Sequence, residues 1–148
     1  MKENKTAKQS QNTGIILVIT YFSFFVVNSL ILMIASDLFP DWIVLGTASI
    51  SYLFSVIHSM GTLALLDTFA LPLVREYESS SGRMLKKSEW MLLYLALNFA
   101  GIWLISRFAD QVGMGVISWT VVLGLAVFFD LVQGAVMMQL EKYRSKFD

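Results

Sequence analysis

The chain has no cysteine and a single histidine, His58. Without thiols there are no disulfide staples, no thiolate metal sites and no thiol nucleophile. One histidine excludes an H-E-x-x-H zinc site and any multi-histidine metal or haem site within one chain. Walker A, G-x-G-x-x-G and G-x-S-x-G sequences are also missing, and with them the phosphate cradles and the nucleophile elbow that they build. Charge is scarce: 15% of the residues are charged and 56% are hydrophobic. An ordinary soluble domain carries ~25% charged residues. The formal net charge is zero, which by itself says nothing about partners.

What remains is apolar sequence. The chain has 148 residues and a mean hydropathy of +0.65. A soluble protein of this size cannot bury that much apolar surface. Gly14 to Ser36, Trp42 to Leu66 and Trp90 to Ser106 hold no charged residue, and Ser118 to Leu140 holds one, Asp130. Each run has the ~17–25 residues that cross hydrocarbon as a helix. The expected fold is all-α, a polytopic transmembrane four-helix bundle. Its expected spans are 14–36, 42–66, 89–106 and 118–140, within a domain of 14–140. A basic segment 1–13 precedes it and a basic tail 141–148, containing "KYRSKF", follows it.

Loop charges suggest the orientation. Ten of the eleven Lys and Arg residues fall before the first span, between spans two and three, or after span four. Only Arg107 lies on the other side. This positive-inside bias predicts cytoplasmic N and C termini in a cell membrane, the plasma membrane being the expected one. The start looks like a signal peptide, but its apolar run is longer than an h-region of ~7–15 residues, and Met33-Ile34-Ala35 makes a poor cleavage site. It therefore reads as an uncleaved first span. Short outer connections at 37–41 and 107–117 imply two antiparallel helical hairpins. A soluble central loop is expected over 67–88, with "ESSSGR" in it and Ser88 capping the third helix. Asp67 is placed at the headgroups, because it and Pro72 argue against a longer span.

The polar residues inside the spans are the candidate site. Ser51, Ser55, His58 and Thr62 fall within about 60° of arc on a helix. Such a stripe reads as a packing seam, or as a polar path with His58 as its titratable group. Asp130 lies roughly 18 Å along the fourth span, near mid-membrane. Ala126, Asp130 and Gly134 share its face, which suggests a close helix neighbour. Asn28 and Asn98 are interior amides, and Gln133 lies ~60° from Asp130. A central network of His58, Asp130, Asn98 and Asn28, joined by Gln133, is expected to be possible. A His58–Asp130 pair in it would titrate as a unit.

The first functional expectation is a non-enzymatic integral membrane protein, an accessory or assembling subunit with a polar intramembrane seam. Its partners would be the lipid bilayer and a second copy or a larger membrane protein, without nucleic acid. The alternative is a small channel or transporter for protons or small solutes. There His58 exchanges protons, Asp130 binds the cation, and Ser51, Ser55 and Thr62 line the path. A membrane enzyme has least support, because no nucleophile or metal set accompanies the acid and the base. No cofactor or metal is expected.

Overall fold

The computed structural model describes the backbone of residues 2–144 and the side chains of residues 14–139. The basic side chains of the 1–13 segment and the 141–148 tail lie outside the described residues. In chain order the elements are α1 (Lys2–Leu38), β1 (Ile43–Leu45), α2 (Tyr52–Ser81), α3 (Lys87–Arg107), α4 (Ala109–Val112), β2 (Met114–Val116) and α5 (Trp119–Arg144). The fold is all-helical apart from the two short strands. Four helices are long and apolar enough to cross a membrane, over Gly14–Leu38, Tyr52–Ser81, Lys87–Arg107 and Trp119–Gln139.

The helix ends follow local chemistry, and three differ from the sequence expectation. The second helix starts at Tyr52 and not at Trp42. Ser51 stops the preceding chain in an extended conformation and accepts the Phe54 N–H on its side chain. That helix then runs past Leu66 and through Pro72 to Ser81, where Gly82 at φ 65° ends it. Pro72 removes one helical N–H but does not break the element. The expected soluble loop shrinks to the short connection between Ser81 and Lys87. Its backbone is held by Glu78, which accepts the Leu85 N–H at 2.7 Å. Lys86, not Ser88, is the N-cap of α3. Glu89 reaches back to the Lys86 N–H at 2.8 Å and also pairs with Arg83.

The sequence pattern anticipates no strand. The connections that precede α2 and α5 nevertheless meet as an antiparallel ladder, Ile43 opposite Val116 and Leu45 opposite Met114. The Gly46 N–H to Gly113 carbonyl bond (2.7 Å) and the Ile117 N–H to Trp42 carbonyl bond (3.0 Å) extend it. Ile43 and Met114 point into the core. Gly113 has φ 81°, and a Cβ there would fall 1.9 Å from the Ser55 hydroxyl. Only glycine fits that approach.

Helix α1 packs on α2, α3 packs on α5, and α2–α3 and α1–α5 contacts join them. A large apolar cluster of Ile31, Leu32, Met60, Leu63, Ile102 and Phe129, among others, includes the strand residues Ile43 and Met114. A smaller cluster holds Phe24, Ala64 and Tyr94, with Trp90 and Met137 against it. Gly101 permits α3 to lie close to α2, since an added Cβ would come within 2.6 Å of a Leu63 methyl. Ala96 and Ala100, four apart on α3, are exposed.

Candidate functional site

Between the two apolar clusters lies a polar layer with one side chain from each long helix. On α1, Asn28 follows Phe24 by one turn and precedes Ile31 and Leu32 on the buried face. On α3, Asn98 stands between Tyr94 and Ile102 in the same way. On α5, Gln133 continues the buried line of Val122, Ala126 and Phe129. On α2, Asp67 continues Ser59, Met60 and Leu63. Asn28, Asp67 and Asn98 are 0% exposed and Gln133 is 2% exposed.

Gln133 is the hub. Its Nε2 donates to Asp67 Oδ2 at 2.9 Å, to Asn28 Oδ1 at 3.0 Å and to Asn98 Oδ1 at 3.3 Å. Its Oε1 accepts from Asn98 Nδ2 at 2.9 Å. The hydroxyl of Tyr94 donates to the backbone carbonyl of Asp67 at 3.4 Å. The layer is not fully satisfied. Asn28 Nδ2 and Asp67 Oδ1 are buried without a hydrogen-bond partner, as are the hydroxyls of Ser59 and Thr68. Among the described residues no Lys, Arg or His forms an ion pair with Asp67.

No family model, curated protein or solved structure matches this chain.

Three of the residues singled out in the sequence, Asn28, Asn98 and Gln133, meet in this layer. The other five do not. Ser55 is buried and accepts the Gly46 N–H at 3.0 Å, beside the ladder. Ser51 caps α2. His58 is on the exposed side of α2, with its ring stacked on Phe54 at 4.9 Å. Thr62 is exposed and its hydroxyl bonds back to the His58 carbonyl at 2.8 Å. Asp130 is half-buried on α5 and makes no side-chain hydrogen bond among the described residues, and neither does His58. The His58–Asp130 pair that the sequence allows is not formed among the described residues. Of the face of Ala126, Asp130 and Gly134, only Ala126 is packed in the core. Gly134 is exposed and has open space around it, whereas Gln133 turns inward.

The geometry explains the split of the α2 stripe. Taking Ser55 as zero, the buried face of α2 centres near 100°, on Val56, Met60, Leu63 and Asp67. The Ser51–Thr62 stripe centres roughly 130° away and touches the buried face only at Ser55. Its outward members satisfy their polar atoms locally, by back-bonding and ring stacking. Asp67 is the residue that sequence reasoning left out. A signal for it existed: from Trp42 to Val74 it is the only charged residue, just as Asp130 is in its own run.

A second concavity lies apart from this layer. An apolar groove of about 670 Å³ runs between the end of α1 and the start of α5, lined by Ile31, Leu38, Trp42, Val121 and Phe128 among others. No charged side chain lines it.

Proposed function

We propose that this chain is a small, non-enzymatic integral membrane protein that works as an accessory or assembling subunit. Its four long helices cross the bilayer as two antiparallel hairpins. The connection between α2 and α3 and both termini lie on the cytoplasmic side of the cell membrane. The observation that carries this reading is the closure of the polar layer. One buried side chain from each helix is spent on the others, and every member is hidden from the surface. Apolar surfaces do not discriminate between helices in lipid, so polar and small residues must set which helices meet and in what register. Outward, α1 shows Phe22, Val26 and Leu30, α2 shows Leu53, Ile57 and Phe69, and α5 shows Phe128 and Leu131. Such faces suit acyl chains, a second copy or a larger membrane partner.

A second reading, transport of protons or small solutes, is favoured by one observation: Asp67 is a carboxyl inside the helices with one oxygen unpartnered. In that reading His58 and Asp130 would serve the same solute from outside the closed layer. Reconstitution separates the two. The assembling reading expects vesicles containing the purified chain to pass protons and alkali cations no faster than protein-free vesicles. It also expects the chain to run as an oligomer or a larger complex after extraction in mild detergent. Flux that disappears in Asp130→Asn or His58→Ala would replace it with the transport reading.

A further inference from the structure

We propose that Asn28, Asp67 and Asn98, around Gln133, form a binding site for one monovalent alkali cation. Three oxygens from three different helices, Asn28 Oδ1, Asp67 Oδ2 and Asn98 Oδ1, lie 3.0, 2.9 and 3.3 Å from a single atom, Gln133 Nε2. An amide nitrogen carries two hydrogens and cannot fully serve three acceptors. The oxygens therefore converge on a point that is short of positive charge. A cation at that point answers all three at once.

Two further observations point the same way. Asp67 Oδ1 and the neighbouring Thr68 hydroxyl are buried with no partner. Pro72, four residues on, has no N–H, so the Thr68 carbonyl also lacks its usual helical donor. Around this turn of α2 one carboxylate oxygen and one backbone carbonyl have no donor, and an unpartnered polar group is costly there.

The charge count selects the ion. The layer holds one carboxyl and three neutral amides. Of the elements around it, α5 adds only Asp130, at a distance, and α3 adds Tyr94. Arg75 lies two turns further along α2, and α1 adds no charged side chain to the layer. One positive charge makes the site neutral, and two would leave a net charge buried. All-oxygen donors suit a hard cation and offer nothing to a softer transition metal. When the ion enters, it takes the place of Gln133 Nε2. The Gln133 side chain swings to another rotamer and vacates that point. Asp67 can then use both oxygens.

The test is the stability of the purified full chain in nanodiscs, followed by tryptophan fluorescence on heating. Sodium, potassium and choline chloride are compared at one ionic strength and at several pH values. At a sodium concentration 100 times its dissociation constant, unfolding should become about 100-fold less favourable than in choline. The effect should saturate. It should vanish in Asp67→Asn, weaken in Asn98→Ala and persist in Asp130→Asn. Equal stability in sodium and choline at every pH overturns the proposal. So does a stability that follows pH alone and ignores the cation, since a proton is then the occupant. Loss of the sodium response in Asp130→Asn, with its retention in Asp67→Asn, overturns the assignment of residues. If Asp67→Asn does not fold, the wild-type titration with Asn98→Ala still decides. The site does not depend on the assembling role, because vesicle flux tests that role and ion-dependent stability tests this one.

Discussion

Replacing Gln133 with leucine removes the hub of the polar layer at nearly constant volume. Four contacts go: Nε2 to Asn28, Asp67 and Asn98, and Asn98 to Oε1. Interhelical hydrogen bonds inside a membrane are worth about 0.6 kcal/mol on average, because the separated helices find other partners. Counting the shared donor as two bonds, the contacts contribute roughly 2 kcal/mol. Leaving Asp67 without its donor adds about 1–3 kcal/mol more, for a buried acceptor with nothing to accept from. The expected loss is therefore about 3–5 kcal/mol, a large fraction of the ~5–15 kcal/mol by which a domain is stable. Reversible unfolding in mixed detergent, followed by tryptophan fluorescence, measures it. Asn98→Leu and the double variant complete a cycle, and the two changes should be strongly non-additive, since the residues bond in both directions. A loss below about 0.5 kcal/mol would refute the reasoning. It would mean that the amides are as well served when the helices are apart, and that apolar packing alone holds the four together.

Gly113→Ala should cost about 2–4 kcal/mol, from the left-handed backbone and from displacing Ser55, which accepts the Gly46 N–H. Gly82→Ala is its control: φ is 65° but nothing lies within 4 Å, so thermal unfolding should show only about 1 kcal/mol. His58→Ala should change stability by less than about 0.5 kcal/mol in the same assay, because the ring is outside the core. The chain has no cysteine, so single substitutions report topology directly. An impermeant maleimide should label Ser49→Cys in intact cells and Ser80→Cys only after the cytoplasmic side is opened; the reverse pattern would invert the proposed orientation.

The long apolar helices could be read from hydropathy alone, because a small chain in water has no core large enough to hide four such runs. The end of α2 could not. Asp67 and Pro72 each look like a boundary, and together they suggest a span that stops at Leu66. Both are instead inside a continuous helix, where Gln133 donates to one oxygen of Asp67. That misplacement removed Asp67 from the candidate site. The inward amides were legible because Asn28, Asn98 and Gln133 have no local way to satisfy a carboxamide within an apolar helix. His58 and Thr62 misled for the opposite reason: a ring on Phe54 and a hydroxyl on a carbonyl one turn back need no neighbour helix. The ladder was not legible, since strands of three residues have no period to detect.

The ladder and the polar layer answer the same physical problem at different heights. Lipid gives helices no hydrophobic reason to choose one rotation over another. A slip of one turn moves a helix about 5.4 Å, past any hydrogen bond. Because each long helix supplies one member of the layer, such a slip in any of them breaks contacts to the others. The ladder fixes the connections that lead into α2 and α5, and Gly113 against Ser55 locks its distance from α2. Two locks along one axis determine tilt as well as register. Once these are set, polar groups remain near the outer faces, among them His58 and Thr62 on α2 and half-buried Asp130 on α5. Under the proposed assembling role, these are the groups that give a partner helix something besides apolar surface to recognise. Substituting them should then disturb the complex while leaving the isolated chain folded.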